Sequence, residues 1–357
     1  MKLMTVVVAL VGMLAPGCGS DGGDPVPRDA MLDAAAFDGG AMDGAAIDGG
    51  IPDAATADAA ASDAAMLRDG SAADAGLRLY DSDGPQAFTT MTATVNTGTR
   101  TFTVQVYLPS SAVAHPVVSL SPGLQQPATG YVSYGRRLAS HGIIALLRDD
   151  PGFTTTTGTV TDDITYLVAT WLPAENARAA SALFGKVDLA HVGLAGHSRG
   201  SKASLLAAEL GLKGKVVGWF GLDPVDTAAF AGDVQARTTL ATVGIPTVFF
   251  GASVSSTCSP AADNHSVLYA AAAAPAVQIV GVGAGHTQFE DPAGCAACAL
   301  CTPGGTANGA VVLATAVRYL TAFFARELLA DPAVGATLQG AGSAADVAAG
   351  VITLNSK

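Results

Sequence analysis

Ser198, Asp223 and His286 are the residues whose types and neighbours could do chemistry together. Ser198 stands in Gly196-His197-Ser198-Arg199-Gly200, a G-x-S-x-G pattern. An apolar run of strand character (Val192, Leu194, Ala195) enters it, and a helix-forming run from Ser201 to Leu210 leaves it. Strand, sharp turn and helix in that order make a nucleophile elbow, whose strained backbone lifts a serine Oγ clear of the sheet. The flanking glycines let strand and helix pass closely. The amide of Arg199, at the helix N-terminus, then points toward an oxyanion. In a chain with 42 Gly the pattern alone is weak. Its placement between strand and helix gives it weight, against the reading of an ordinary turn serine.

A serine nucleophile needs a base, and the base needs an acid that fixes its tautomer. The chain offers six histidines. His115, His141 and His191 flank strands ahead of the elbow, His197 lies inside it, and His265 opens a helix. His286 follows a strand in the Gly-rich loop Gly283-Ala284-Gly285-His286, so it is the candidate base. For the acid, the strand Lys215 to Leu222 delivers Asp223-Pro224-Val225-Asp226 at its carboxyl end, where open α/β sheets place ligands. The next strand, Pro246 to Gly251, is followed by no carboxylate until Asp263. Asp223 is the candidate acid, with Asp226 and Asp263 in reserve and a turn carboxylate before Pro224 as the alternative.

The elements that must carry these groups alternate. Thr90 to Val95 and Thr99 to Leu108, joined by Asn96-Thr97-Gly98, read as an antiparallel hairpin. Strands are expected at Pro116 to Leu120, Ile143 to Leu147, Lys215 to Leu222, Pro246 to Gly251 and Ala276 to Val282, the last of them. Helices are expected at Tyr131 to Ser140, ending at His141-Gly142, at Asp162 to Leu172 with Pro173 beyond its end, and at Ala310 to Leu329. Thr154 to Thr161 reads as a polar loop, and Asp149 and Asp150 as loop carboxylates. Such alternation predicts an α/β fold: a mostly parallel central sheet with helices on both faces and an N-terminal antiparallel hairpin.

The ends of the chain divide from this domain by composition. Residues 1–18 combine Lys2, an apolar run from Leu3 to Leu14, and Ala15-Pro16-Gly17-Cys18, the makings of a secretory signal. The run is too short to span a membrane. Cys18 resembles the lipid-modified cysteine of bacterial lipoproteins; a plain secretory signal is the alternative. Residues 19–76 hold 12 Asp against 2 Arg, with Asp recurring every five residues from Asp33 to Asp63. That period fits neither a helix nor a strand face. Charge almost all of one sign, with aromatic residues nearly absent, predicts a disordered, extended linker rather than a calcium-binding repeat. The catalytic domain is expected at 77–335, with a C-terminal tail at 336–357. Of the net charge of −12, little belongs to residues 77–357, which carry 18 acidic and 15 basic residues. No basic patch invites nucleic acid. A membrane is expected only through an anchor at Cys18, and nothing here reads out an oligomeric state.

Four further cysteines, Cys258, Cys295, Cys298 and Cys301, suit disulfides in an exported chain, with three possible connectivities. The expected pattern pairs Cys258 with one of the other three and braces the His286 loop. A zinc site in C-x2-C-x2-C is the alternative.

Together these motifs resemble the α/β-hydrolases, closest to the chlorophyllases and more distantly the cutinase and polyester-hydrolase group. The resemblance rests on G-H-S-R-G at Gly196, G-L-D-P-V-D at Gly221, N-H at Asn264, G-H-T-Q-F-E-D at Gly285 and A-S-H-G-I-I at Ala139. It covers roughly residues 90 to 325. It departs where chlorophyllases carry a further glycine and this chain has Ser201, and where the cutinase group has Met after the serine and a later acid. The likeness implies an α/β-hydrolase fold and an order of nucleophile, acid, base that Ser198, Asp223 and His286 keep. In chlorophyllases the Asp of D-P-V is the acid, in favour of Asp223. The loop after Leu120 would supply a second oxyanion amide, that of Leu124, where a simple Pro-Gly turn is the alternative.

These readings predict an exported serine hydrolase that cleaves small or polymeric carboxylic esters through an acyl-enzyme, with no cofactor and no metal. An acyltransferase on the same three residues, and a non-catalytic surface-binding lipoprotein on a hydrolase scaffold, are the alternatives.

Overall fold

The computed structural model describes residues 78–150, 155–228, 233–291, 298–331, 334, 338 and 343–357. The signal, the lipidation candidate Cys18 and the Asp-rich linker lie outside them, as does Cys295.

Among the described residues nine strands form one sheet in the order β1-β2-β4-β3-β5-β6-β7-β8-β9. They are β1 (Phe88–Asn96), β2 (Thr101–Pro109), β3 (His115–Ser121), β4 (Ile144–Arg148), β5 (Val187–His197), β6 (Val216–Leu222), β7 (Thr247–Ala252), β8 (Ala276–Gly281) and β9 (Ile352–Ser356). β1 and β2 are the expected hairpin, and β2 runs antiparallel to β4. From β4 through β3, β5, β6 and β7 to β8 every pairing is parallel.

Parallel strands are buried on both faces, which is why their sequences are continuous apolar runs. Successive residues nevertheless serve different cores. Ala195, Phe220, Leu222 and Phe250 pack on one face with helices α1 (Val132–Ser140) and α6 (Gly309–Leu329). Leu194, Trp219 and Phe249 pack on the other with α2 (Thr157–Tyr166), α4 (Arg199–Leu210) and α5 (His265–Ala271). α6 has the length and apolarity of a membrane span, but its buried Tyr319, Leu320, Phe323 and Phe324 make it a closing helix of the core.

The chain leaves β3 for β4 on one side, and β5 returns on the other side of β3. The carboxyl ends of β3 and β5 are thus neighbours whose connections diverge. This is the switch point where open α/β sheets form a crevice.

Three expectations are corrected. The Thr-rich stretch is not a loop throughout, since α2 begins at Thr157. Thr156 caps it, its side chain accepting from the Thr159 amide at 3.1 Å. Nor does Pro173 lie beyond the helix. A π turn (Leu167–Trp171) follows α2 and runs on into α3 (Leu172–Ala177), with Pro173 in the first turn of α3. β8 is not the last strand either, because β9, within the stretch read as a tail, pairs antiparallel to it.

Candidate active site

β5 ends at His197, and the next residue turns sharply: Ser198 has φ 54° and ψ −124°, and α4 starts at Arg199. Two glycines make this possible. A Cβ on Gly196 would collide with the Gly200 backbone, and one on Gly200 with the carbonyls of Ser121 and Pro122. Ser201, standing where chlorophyllases carry glycine, donates its hydroxyl to the Gly196 carbonyl and so ties the first turn of α4 back to β5. The strained serine is bracketed by the next strand, its amide donating to Leu222 O at 3.0 Å and its carbonyl accepting from the Val225 amide.

β6 delivers Asp223 in another left-handed conformation, φ 34°, its amide donating to Phe250 O at 2.6 Å. The Asp223 carboxylate is fully buried. The Ala252 amide donates to its Oδ1 at 2.9 Å. Burial pushes its pKa up, but the hydrogen bond and positive charge of His286, with His265 and the Ala252 amide, outweigh burial and hold it below the usual carboxylate range. His286, after β8, donates from Nδ1 to Asp223 Oδ2 at 2.6 Å. Ser198 Oγ donates to His286 Nε2 at 3.0 Å. The structure therefore brings Ser198, His286 and Asp223 into one hydrogen-bonded line.

The reserve acids stand apart. Asp226 accepts from the Ala236 amide at 2.6 Å and from Arg237 Nε at 2.7 Å, and Asp263 pairs with the same guanidinium. Both brace the loop after β6.

Leu124, Ser198, Arg199 and His286 line one cavity of about 400 Å³. Its walls are mostly apolar, with Val225, Leu300 and the Cys258–Cys301 disulfide among them. Among the described residues nothing accepts from the backbone amides of Leu124 and Arg199, two of the residues that line the cavity. The disulfide joins the segment after β7 to the one after the His286 turn, and Thr257 reinforces it by donating from its amide to Thr302 O at 2.9 Å. Cys301 is thereby withdrawn from any zinc site. Cys295 lies outside the described residues, as does the side chain of Cys298. Among the described residues no cluster of His, Cys, Asp or Glu could hold a metal ion.

Behind His286 lies a network that the sequence did not announce. His197 is buried, its ring 4.7 Å from that of His286. Its Nε2 donates to the His286 carbonyl at 3.0 Å, and because a carbonyl only accepts, Nδ1 of a neutral ring is an acceptor. Tyr131 donates its hydroxyl to that Nδ1 at 2.8 Å and accepts from the Gly123 amide at 3.1 Å. Glu290 Oε1 lies 3.2 Å from the same Nδ1. That separation would suit an ion pair, but burial disfavours the charge on both groups. Burial and the charge of His286 push His197 down to about 3, and burial pushes Glu290 up to about 7. Glu290 sits in the G-H-T-Q-F-E-D stretch, so its nearness to His286 was readable; Tyr131 carried no signal.

No curated protein matches the chain. A family model described as Chlorophyllase matches residues 84–329. It spans the hairpin, the switch-point crevice and the segments carrying Ser198, Asp223 and His286, and with the α/β-hydrolase sheet it implies a hydrolase and, broadly, ester hydrolysis. The chain belongs to the chlorophyllase family.

Proposed function

We propose that this chain is a serine ester hydrolase working through an acyl-enzyme. The observation that carries the reading is the position of His286, 3.0 Å from Ser198 Oγ by one ring nitrogen and 2.6 Å from Asp223 by the other. Ser198 Oγ attacks the ester carbonyl and gives its proton to His286 Nε2. Asp223, ionised and fixed by the Ala252 amide, holds Nδ1–H and stabilises the imidazolium. The carbonyl oxygen, now an oxyanion, takes hydrogen bonds from the amides of Leu124 and Arg199, each worth about 3 kcal/mol in the transition state. His286 protonates the departing alcohol, then takes a proton from water, which releases the acid and restores Ser198.

The apolar walls favour an ester with an apolar acyl or alcohol group of moderate size. The N-terminal residues support export, with Cys18 as the candidate for a lipid anchor and the Asp-rich segment as a tether.

The test is fluorophosphonate labelling and hydrolysis of 4-nitrophenyl esters by the full chain. Ser198→Ala should abolish labelling and lower turnover by about 10⁶. A folded Ser198→Ala variant that still turns over at the wild-type rate refutes the reading.

A further inference from the structure

We propose that Asp150 is a positioning residue for the oxyanion-binding amides, acting through Gln125 and Arg199; the inference rests on the ester-hydrolase reading above. Asp150 follows β4, touches no reacting atom, and is buried, with 2% of its surface exposed. Its hydrogen bonds nevertheless go to the two segments that carry the oxyanion donors.

The first segment is the loop after β3. The Gln125 amide donates to Asp150 Oδ2 at 3.2 Å, and the Asp150 amide donates to Gln126 O at 3.1 Å. This two-point clasp closes around Gln125, whose φ of 61° lies in the left-handed region that residues other than glycine rarely adopt. Such a conformation persists only where its surroundings over-determine it. Released from the clasp, Gln125 would relax, and the neighbouring Leu124 amide would swing with it.

The second segment is the elbow. Arg199 donates through its guanidinium to the same Asp150 Oδ2 and to Thr155 O. Arg199 thus contributes its amide to the site by its place in the chain, and its side chain fixes that amide relative to the β3 loop. One carboxylate oxygen spans both halves of the oxyanion site. The other, Oδ1, accepts no hydrogen bond from the described residues and faces Arg148 at 4.0 Å. Arg148 pairs in turn with Asp163, and Asp163 with Arg100. Charges of alternating sign therefore run from the elbow through Arg148 and Asp163 to Arg100, and they keep Asp150 in place without competing for Oδ2. Charge is what the position requires. A guanidinium and an amide converge on one oxygen, and a carboxylate accepts from both more strongly than a neutral group does.

A merely structural ion pair would affect stability, whereas a positioning group affects the transition state selectively. The test substitutes Asp150→Asn, which keeps the size and an acceptor oxygen but loses the charge, and Arg199→Gln, which keeps the backbone amide. Both and their double are compared with the wild-type chain in hydrolysis of 4-nitrophenyl butyrate, inhibition by a trifluoromethyl ketone that forms an oxyanion on the serine, and thermal midpoint. The expected result is a fall in kcat of roughly 10- to 100-fold in Asp150→Asn, a KM within about threefold, and weakening of the ketone by the same factor as kcat. Because one residue acts through the other, the double variant should lose less than the product of the single losses. If Asp150→Asn does not fold, the kcat and ketone response of Arg199→Gln decides alone. A kcat and ketone affinity within about threefold of wild type in the folded variants, or a fall in kcat with the ketone unmoved, overturns the inference. A wild-type chain with no esterase activity overturns the hydrolase reading and this inference with it, and the wild-type measurement by itself separates that case.

Discussion

Replacing Asp223 by Asn removes one charge and leaves every heavy atom in place, yet the structure dictates a large effect. The Ala252 amide donates to Asp223 Oδ1 at 2.9 Å, and His286 donates from Nδ1 to Oδ2 at 2.6 Å. In Asp223→Asn only one of these positions can remain an oxygen. The Ala252 amide is fixed in β7 and can only donate, so it keeps the oxygen. The new NH2 then faces His286 Nδ1, which must become an acceptor, and the ring proton moves to Nε2. Nε2 is the atom that takes the proton of Ser198, 3.0 Å away, and with a hydrogen of its own it cannot. Reversed tautomers of this kind lower kcat by about 10⁴ in serine protease triads, which is about 5 kcal/mol of transition-state stabilisation. The assay is single-turnover acylation by a 4-nitrophenyl ester, beside fluorophosphonate labelling, with circular dichroism to verify folding. Asp263→Asn is the control, since its partner is Arg237. An Asp223→Asn variant that keeps more than about a tenth of wild-type kcat refutes the assignment of the acid, and so does an equal loss in Asp263→Asn.

The other predictions concern the surroundings of the reacting groups. Burial raises Glu290 from 4.5 to about 7. Between those values the folded chain holds a proton that the unfolded chain has released, so Glu290 lowers stability as pH rises through this window, with the full cost present above it. The cost reaches about 3 kcal/mol. Glu290→Gln, which carries no charge at either pH, should match wild type in urea denaturation near pH 4 and exceed it by up to that amount at pH 8; a stability difference independent of pH refutes this. Cys258→Ser opens a disulfide across 43 residues, a loss of about 4 kcal/mol by loop-closure entropy. Because Thr257, Leu300 and the disulfide line the cleft while the serine and histidine are held from other strands, KM should rise more than kcat falls, and the opposite split in steady-state kinetics would show that the wall also aligns the catalytic groups.

What could be read from the sequence was whatever local pattern encodes. The strands β3, β4, β6, β7 and β8 are apolar runs because both their faces are buried, and their ends fall within a residue or two of expectation. Ser198 and Asp223 were legible because each follows its strand directly, and His286 because it lies in the Gly-rich turn a few residues after β8. α2 was misjudged at its start because threonine competes with helical hydrogen bonding. Here Thr161 donates to the Thr157 carbonyl and Thr156 serves as the cap, so residues that locally favour a turn were absorbed into the helix. β9 escaped notice because its alternation is only two residues long, Ile352 buried and Leu354 half-buried, too short to stand out as a strand. The support around the site was illegible for a different reason. Tyr131 meets His197 across 66 positions, and Asp150 meets Arg199 across 49. Such pairs arise from the strand order, which brings the ends of β4, β3 and β5 side by side, and no local motif records it.

The same strand order explains where the backbone departs from its preferred conformations. Among the described residues four that are not glycine have positive φ, and three of them are Gln125, Ser198 and Asp223. Each costs on the order of 1 to 3 kcal/mol, a sizeable part of what keeps a domain folded. Each is held by a group from the neighbouring strand's end: Gln125 N by Asp150, Ser198 N by Leu222 O, Asp223 N by Phe250 O. Glycine would relieve the strain at all three positions. The chain has 42 glycines and uses them freely in turns, but not here. At Ser198 and Asp223 the side chain is what the proposed reaction uses, so the strain is the cost of projecting it from a strand end. At Gln125 no side-chain atom is needed for the proposed chemistry. On the proposed reading the requirement there is a fixed amide next door, and a residue less pliable than glycine, clasped on both sides by Asp150, would keep the Leu124 donor aimed at the oxyanion through the whole catalytic cycle.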